Sequence, residues 1–239
     1  MIFTDAGAGN PVLFLHGFPC TRGLWDAVIP LMPGFRCIAP DLLGYGESRF
    51  DGEVGMAAQV APLLSLLDGL GLARVDLVAH DVGTAAALLL ALQAPERIRR
   101  LIVMDGVHET EWAMDAIESI RSWDLAKAAR LQPVLARGIR PIRGLLQTYA
   151  GEEGGRRLIH AARCLNPNET AGATARLRAS GLPIRVIWGS DDSYLPLERV
   201  GRPLAKELET ELVVVTGGHF LPLDNPAGAA QAISEFLGG

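Results

Sequence analysis

The chain has 239 residues, a length that fits one large domain or one domain with an insertion. Hydrophobic residues make up 49% and charged residues 21%, which is typical of a globular protein with a sizeable core. The formal charge of −5 argues against a nucleic-acid groove, and the longest apolar run, from Ala85 to Leu92, is too short to span a bilayer.

The cysteines and the first residues of the chain indicate the cellular compartment to expect. Cys20, Cys37 and Cys164 are odd in number and have no CxxC spacing, so they predict neither a disulfide framework nor a zinc site. The start carries no basic region followed by an apolar run, so nothing there suggests secretion. A reduced, cytoplasmic setting is therefore the expectation.

Short apolar runs alternate with helix-length amphipathic stretches over the first hundred residues. This alternation is typical of a parallel sheet that is covered by helices on both faces. The predicted elements, in chain order, are a strand at 11–15, a helix at 24–31, a strand at 35–39, a helix at 56–70, a strand at 74–79, a helix at 84–94 and a strand at 98–104.

The alternation stops after the strand at 98–104. Residues 109–182 contain helical patterns, broken at Pro133, Pro141, Gly151, Gly154 and Pro167, and no convincing strand. It resumes with a strand at 184–188, a helix at 197–208, a strand at 211–215 and a helix at 226–237. The sequence thus predicts a core domain of residues 1–108 and 183–239 and a helical cap at 109–182. The cap is expected above the carboxyl ends of the strands, where open α/β sheets bind their ligands.

The segment Ala79-His80-Asp81-Val82-Gly83 lies where a predicted strand runs directly into a predicted helix. Small residues two positions before and after Asp81 suit a sharp strand–turn–helix corner, the nucleophile elbow, which exposes its central side chain above the sheet. The helix N-terminus favours the ionised, nucleophilic form of that carboxylate. By itself the pentapeptide is equally compatible with Asp81 as a helix cap. His80 is expected to pack against the elbow.

The segment His16-Gly17-Phe18-Pro19 follows the first predicted strand, and together with the Asp81 elbow it resembles the α/β-hydrolase superfamily. The resemblance implies an α/β-hydrolase fold, with a mostly parallel central sheet, helices on both faces and a helical cap insertion. It also implies an oxyanion hole built from the backbone N–H groups of Phe18 and Val82.

Three further segments resemble the same superfamily. The loop from Asp41 to Ser48 is similar to the loop after its next strand, and both residues are expected to be structural. Gly189 to Pro196 resembles its acid loop, which selects Asp192 over Asp191, while Asp105 at the end of an earlier strand is the rival acid position. His219 follows Gly217-Gly218 after the last strand, which completes the order nucleophile, acid, histidine.

A carboxylate nucleophile suits attack on an sp3 carbon that bears a leaving group or belongs to a strained ring, which yields an alkyl ester on the enzyme. His219, oriented by Asp192, would then activate water to hydrolyse that ester. This pairing of motifs is similar to epoxide hydrolases and haloalkane dehalogenases. Dehalogenases of this fold usually place Trp after the nucleophile to hold the halide, but here Val82 stands there. The leading expectation is therefore an epoxide hydrolase.

Epoxide hydrolases usually present two cap tyrosines to the epoxide oxygen, and here the insertion contains only Tyr149. Trp112, Trp123 or His160 would serve as the second donor, and Tyr149 is equally compatible with a place in the core of the cap. The alternatives are a haloalkane dehalogenase, an ester or lactone hydrolase, a biosynthetic cyclase, or a small-molecule receptor with little turnover. A small-molecule substrate is expected, and no cofactor, metal, nucleic-acid or membrane partner is. The sequence leaves the oligomeric state open.

Overall fold

A computed structural model of the chain describes residues 1–107, 109, 112, 114–128, 142 and 144–238. Within these described residues, seven strands form one sheet in the order β1-β3-β2-β4-β5-β6-β7. The strands are β1 (Phe3–Gly7), β2 (Asn10–Leu15), β3 (Phe35–Pro40), β4 (Val75–Asp81), β5 (Ile98–Gly106), β6 (Ile184–Gly189) and β7 (Leu212–Val215). Only the pairing of β1 with β3 is antiparallel among the ladders of the described chain, so the sheet is mostly parallel, as the sequence predicts.

Helices flank this sheet, which is the layer arrangement of an α/β-hydrolase fold. The α-helices are α1 (Val60–Gly69), α2 (Gly83–Gln93), α3 (Met114–Arg121), α4 (Gly151–Cys164), α5 (Ala173–Ser180), α6 (Arg202–Glu207), α7 (Leu221–Asp224) and α8 (Pro226–Gly238). Helix α2 packs on β4 and β5, and α8 packs on β6 and β7. No helix in the described part of the chain is long and apolar enough to cross a membrane.

The central strand β4 positions the candidate site. All seven of its residues are buried, and it pairs in parallel with β2 on one side and β5 on the other. Burial on both faces is typical of a strand in the middle of a parallel sheet, and here it encloses Asp76, His80 and Asp81 together with the apolar residues. Because parallel strands end at one edge, the loops after β2, β4, β5 and β6 all open at the same edge of the sheet.

The structure differs from the predicted elements in three places. The helix expected at 24–31 is two short 3-10 segments, Arg22–Trp25 and Ile29–Leu31, because Pro30 lacks the amide that would continue a helix. The helix expected at 197–208 begins as a π-helical turn, Leu197–Gly201, before α6. The edge strand β1 was not predicted, since its mixed polar residues carry no buried-strand pattern.

The segment between β5 and β6 contains α3, α4 and α5, and no strand lies among its described residues. Residues 129–141 of the predicted cap lie outside the described part of the chain. Two side chains of α4 hold the segment to the loop after β3: Arg157 donates to the carbonyl of Gly46 at 2.7 Å, and Nε2 of His160 lies 2.8 Å from the carbonyl of Gly52.

Candidate active site

Asp81 is the last residue of β4 and turns the chain sharply into α2. Its φ of +52° lies in the left-handed region, which non-glycine residues rarely adopt and which a nucleophile elbow requires. Two glycines allow the neighbouring loop to approach this corner. A Cβ on Gly17 would lie 2.3 Å from the Cβ of Asp81, and one on Gly83 would lie 2.3 Å from the carbonyl oxygen of His16.

Backbone amides hold the carboxylate of Asp81. The N–H of Phe18 donates to its Oδ2 at 2.9 Å, and the N–H of Val82 also bonds to the carboxylate. The residues predicted to form the oxyanion hole therefore both meet the Asp81 side chain. Burial raises the pKa of Asp81, while nearby His219 and the two amides partly offset that effect by favouring the charged form.

His219 lies between two carboxylates. Its Nδ1 is 2.8 Å from Oδ2 of Asp192, and its Nε2 is 3.7 Å from Oδ1 of Asp81. The other oxygen of Asp192 accepts the backbone N–H groups of Tyr194 and Leu195, each at 2.8 Å. Both oxygens of Asp192 are thus engaged, which holds the imidazole of His219 with Nε2 turned towards Asp81.

The charge state of His219 follows from these neighbours. Burial by itself would lower the pKa of His219, but the hydrogen bond to Asp192 and the negative charges of Asp81 and Asp192 outweigh it and raise the pKa to about 9. At neutral pH the imidazole of His219 is therefore protonated. The charged imidazole faces the carboxyl group of Asp81 across 3.7 Å.

Asp105, the rival acid position, lies at the end of β5 with a φ of +43°. Its Oδ1 accepts the backbone N–H of Gly189 at 2.6 Å, and its other oxygen has no partner among the described residues. Burial raises its pKa well above the usual range for a carboxyl group. Asp105 therefore accepts from Gly189, the first residue of the loop that contains Asp192, while Asp192 accepts the hydrogen bond from Nδ1 of His219.

Tyr149 ends a 3-10 segment, Leu145–Tyr149, and is completely buried. Its hydroxyl has no hydrogen-bond partner in the described part of the chain, and the guanidinium of Arg157 lies 5.7 Å from the centre of its ring. Burial, and next the neighbouring Cys20, raise the pKa of Tyr149 well above its ordinary value. Burial, and next Asp81, raise the pKa of the Cys20 thiol, so Cys20 neighbours both groups electrostatically.

The other residues predicted to donate from the cap have hydrogen-bond surroundings that differ from those of Tyr149. Nε1 of Trp112 donates to the carbonyl of Glu109 at 2.9 Å, and His160 is engaged with the loop after β3. Trp123 is buried and its Nε1 has no partner among the described residues, but it borders a cavity of about 390 Å³ on α4, whose lining includes Arg156 and Arg163. Cys20 thus gives Tyr149 an electrostatic connection with Asp81.

The loop after β3 contains Tyr45, for which the sequence motifs predict no role in the site. Tyr45 is buried with an unpartnered hydroxyl among the described residues, and its ring lies 6.4 Å from that of Phe18. No motif pointed to it. Asp41 and Ser48 are structural, as expected: Asp41 accepts the N–H groups of Arg22 and Glu47, and Ser48 accepts the N–H of Ile2.

A model of the α/beta hydrolase fold family matches residues 10–146 of the chain. Across nearly the whole chain it is similar to 2-hydroxy-6-oxo-2,4-heptadienoate hydrolase of Pseudomonas putida strain F1, with 28% identity over 98% of this chain and 91% of that protein. A haloalkane dehalogenase of Mesorhizobium japonicum is 40% identical over 54% of this chain and 43% of its own length. An epoxide hydrolase of Caballeronia sordidicola is 33% identical over 49% of this chain and 37% of its own length.

The fold and the site together define an α/β-hydrolase, and the family match covers more than half of the chain. The chain belongs to the α/β-hydrolase fold family. Its relatives are hydrolases of different chemistry, so they support a hydrolase that acts on a small molecule and leave the reaction to the residues of the site.

Proposed function

We propose that the protein is an epoxide hydrolase in which Asp81 is the nucleophile, His219 the base and Asp192 the acid that orients it. The observation that carries the proposal is a carboxylate at the elbow, bonded to two backbone amides and 3.7 Å from an imidazole. A carboxylate in this position attacks an sp3 carbon readily, whereas attack on an ester would give a less useful mixed anhydride.

In the first half-reaction an oxygen of Asp81 forms a bond to one carbon of the epoxide while the C–O bond of the ring breaks. The product is an alkyl ester of Asp81 that carries an alkoxide. The O–H of Tyr149 donates a proton to this alkoxide. The raised pKa of Tyr149 keeps the phenol protonated at neutral pH, so that the donor is present when the ring opens.

Esterification of Asp81 removes the negative charge that helps to keep His219 protonated. The pKa of His219 falls, and the released proton restores the Tyr149 phenol. Neutral His219 then takes a proton from water, and the hydroxide oxygen attacks the carbonyl carbon of the ester. The N–H groups of Phe18 and Val82 stabilise the oxyanion of the tetrahedral intermediate.

Collapse of the intermediate expels the second alkoxide of the product, which takes the proton from His219. The diol leaves, and the regenerated carboxylic acid of Asp81 returns its proton to His219. The balance is one epoxide and one water converted into one diol, with the resting ion pair restored.

The halide reaction is the second candidate, because the dehalogenase relative has the higher identity over its matched segment. Expulsion of a halide needs N–H donors directed at a soft anion. Val82, after the nucleophile, offers a backbone amide but no side-chain donor, and the indole N–H of Trp112 is bonded to Glu109. An opened epoxide requires a proton instead, and the hydroxyl of Tyr149, which has no partner among the described residues, favours that reaction.

The experiment is a panel of epoxides, haloalkanes and simple esters offered to the wild-type protein and to His219→Gln. We expect epoxide turnover by the wild type. In His219→Gln the alkyl ester should form and persist, and intact mass spectrometry with peptide mapping should find the substrate's mass on Asp81. Hydrolysis of haloalkanes or esters without epoxide turnover would establish one of the alternatives instead.

The donor is tested separately with Tyr149→Phe, which removes only the hydroxyl. Epoxide turnover should fall by about 10²- to 10⁴-fold, the usual contribution of a positioned acid. Any halide turnover should be nearly unchanged. Tyr45→Phe is the matched comparison, since it removes a second buried hydroxyl that has no partner among the described residues. A larger loss in Tyr45→Phe than in Tyr149→Phe would transfer the donor role to Tyr45.

A further inference from the structure

His80, the residue before the nucleophile, makes a contact that packing alone does not require. Its side chain is completely buried, and its Nε2 lies 2.6 Å from the backbone carbonyl oxygen of His219. A carbonyl oxygen only accepts hydrogen bonds, so Nε2 of His80 must carry the proton. The contact joins the strand that ends in Asp81 to the backbone of the histidine that faces it.

The ring of His80 is enclosed by the histidine loop. The ring centres of His80 and His219 are 4.9 Å apart, and the ring of Phe220 lies 6.0 Å from that of His80. Nδ1 of His80 has no partner among the described residues. A second proton on Nδ1 would therefore be buried without an acceptor.

The charged groups around this pair act in the same direction. Burial, and next the neighbouring His219, lower the pKa of His80 well below its ordinary value, and His16 from the loop after β2 adds to the effect. His219 itself faces Asp81, Asp192 and Asp105, which all favour its charged form. His80 thus stays neutral beside a charged imidazole, and its one available donor is directed at the backbone of His219.

We infer that His80 is a positioning residue: its Nε2–H holds the backbone of His219 so that the imidazole bridges Asp192 and Asp81. The distance of 3.7 Å between Nε2 of His219 and Oδ1 of Asp81 then depends on the side chain of His80, the residue that precedes Asp81 on β4. An apolar side chain of similar size would fill the same space, but it would leave the carbonyl of His219 buried without this donor.

The first test is a pH titration of the wild-type protein by ¹H–¹⁵N spectra that resolve the histidine rings. We expect His80 to remain neutral and protonated on Nε2 from pH 5 to 8, a range around the ordinary histidine pKa of about 6.5. Protonation on Nδ1, or titration of His80 near its ordinary value, would overturn the assignment. This measurement needs no variant and no substrate.

The second test compares His80→Gln, whose amide nitrogen can reach the carbonyl of His219, with His80→Leu, which has no donor. We expect the pKa of His219 to fall by about 1 unit or more in His80→Leu and by less than about 0.3 unit in His80→Gln. His160→Leu is the control, since His160, on α4, makes the same kind of contact with the carbonyl of Gly52 in the loop after β3. If the pKa of His219 is the same in all three variants, His80 contributes only packing and the positioning role is wrong.

His80→Asn replaces His80→Leu if the apolar variant does not fold, because its shorter amide is polar yet does not reach the carbonyl. The catalytic readout rests on the proposed function. With an epoxide, His80→Leu should slow hydrolysis of the Asp81 ester on the order of 10- to 100-fold, more than it slows ester formation. His80→Gln should restore most of the rate. Equal slowing of both steps in His80→Leu, without rescue by Gln, would contradict positioning.

The two proposals fail separately. If His219→Gln accumulates no ester on Asp81 with any substrate, the proposed function is wrong, while the titrations of His80 and His219 still decide the positioning role. If the ester accumulates but the titrations show no effect of His80, the positioning role is wrong and the proposed function remains.

Discussion

Removal of the charge on Asp81 should lower the pKa of His219, and Asp81→Asn is the substitution that isolates this effect. Nε2 of His219 lies 3.7 Å from Oδ1 of Asp81, and Coulomb's law with an effective dielectric constant of about 20 gives roughly 4 kcal/mol for unit charges at that distance. This energy corresponds to about 3 pKa units. Since the carboxylates together raise the pKa only to about 9, we expect a fall of about 1 to 3 units in the variant.

The assay is the titration of His219 by ¹H–¹⁵N spectra in the wild type and in Asp81→Asn, with thermal unfolding to show that both are folded. The size of the shift matters mechanistically, because an alkyl ester on Asp81 removes the same charge. A large fall would mean that ester formation itself converts His219 from a protonated group into the base that activates water. An unchanged pKa of His219 in a folded Asp81→Asn protein would refute this coupling between the two half-reactions.

Three further outcomes follow from the site. Asp192→Asn should slow ester hydrolysis by about 10⁴-fold, the effect of losing the carboxylate that orients a catalytic histidine. Asp105→Asn should slow the same step far less. If single-turnover kinetics show the reverse order, Asp105 is the acid. Gly17→Ala should cut turnover by about 10²- to 10³-fold, because its Cβ would displace the nucleophile's carboxylate from an amide donor, while Gly69→Ala, with no atom within 4 Å, should keep full kcat. The raised pKa of His219 means that its protonated form stabilises the fold fully below about pH 6.5, and that this contribution is lost as the pH rises through about 9. The difference in unfolding free energy between the wild type and His219→Gln should therefore fall by about 3 kcal/mol over that range. A constant difference in denaturant titrations would contradict the ion pair.

The sequence by itself determined the fold class and nominated the site residues. Buried parallel strands such as β2 appear as continuous apolar runs, and the glycines around Asp81 are needed wherever backbones approach closely. These signals lie within short stretches of sequence, so they can be recognised without a structure. The short edge strand β1 carried no such signal, since its stability comes from pairing with β3 and not from its own apolar pattern.

Only the tertiary structure decided which groups meet. Asp192 and Asp105 both lie at or after the end of a strand, yet Asp192 is bonded to His219 while Asp105 is bonded to Gly189 and burial raises its pKa. The contact between His80 and the carbonyl of His219 joins residues 139 positions apart. Charge state and the partner of His80 depend on burial and on neighbours distant in the chain, and for that reason the motifs that pointed to Asp192 and His219 could not supply them.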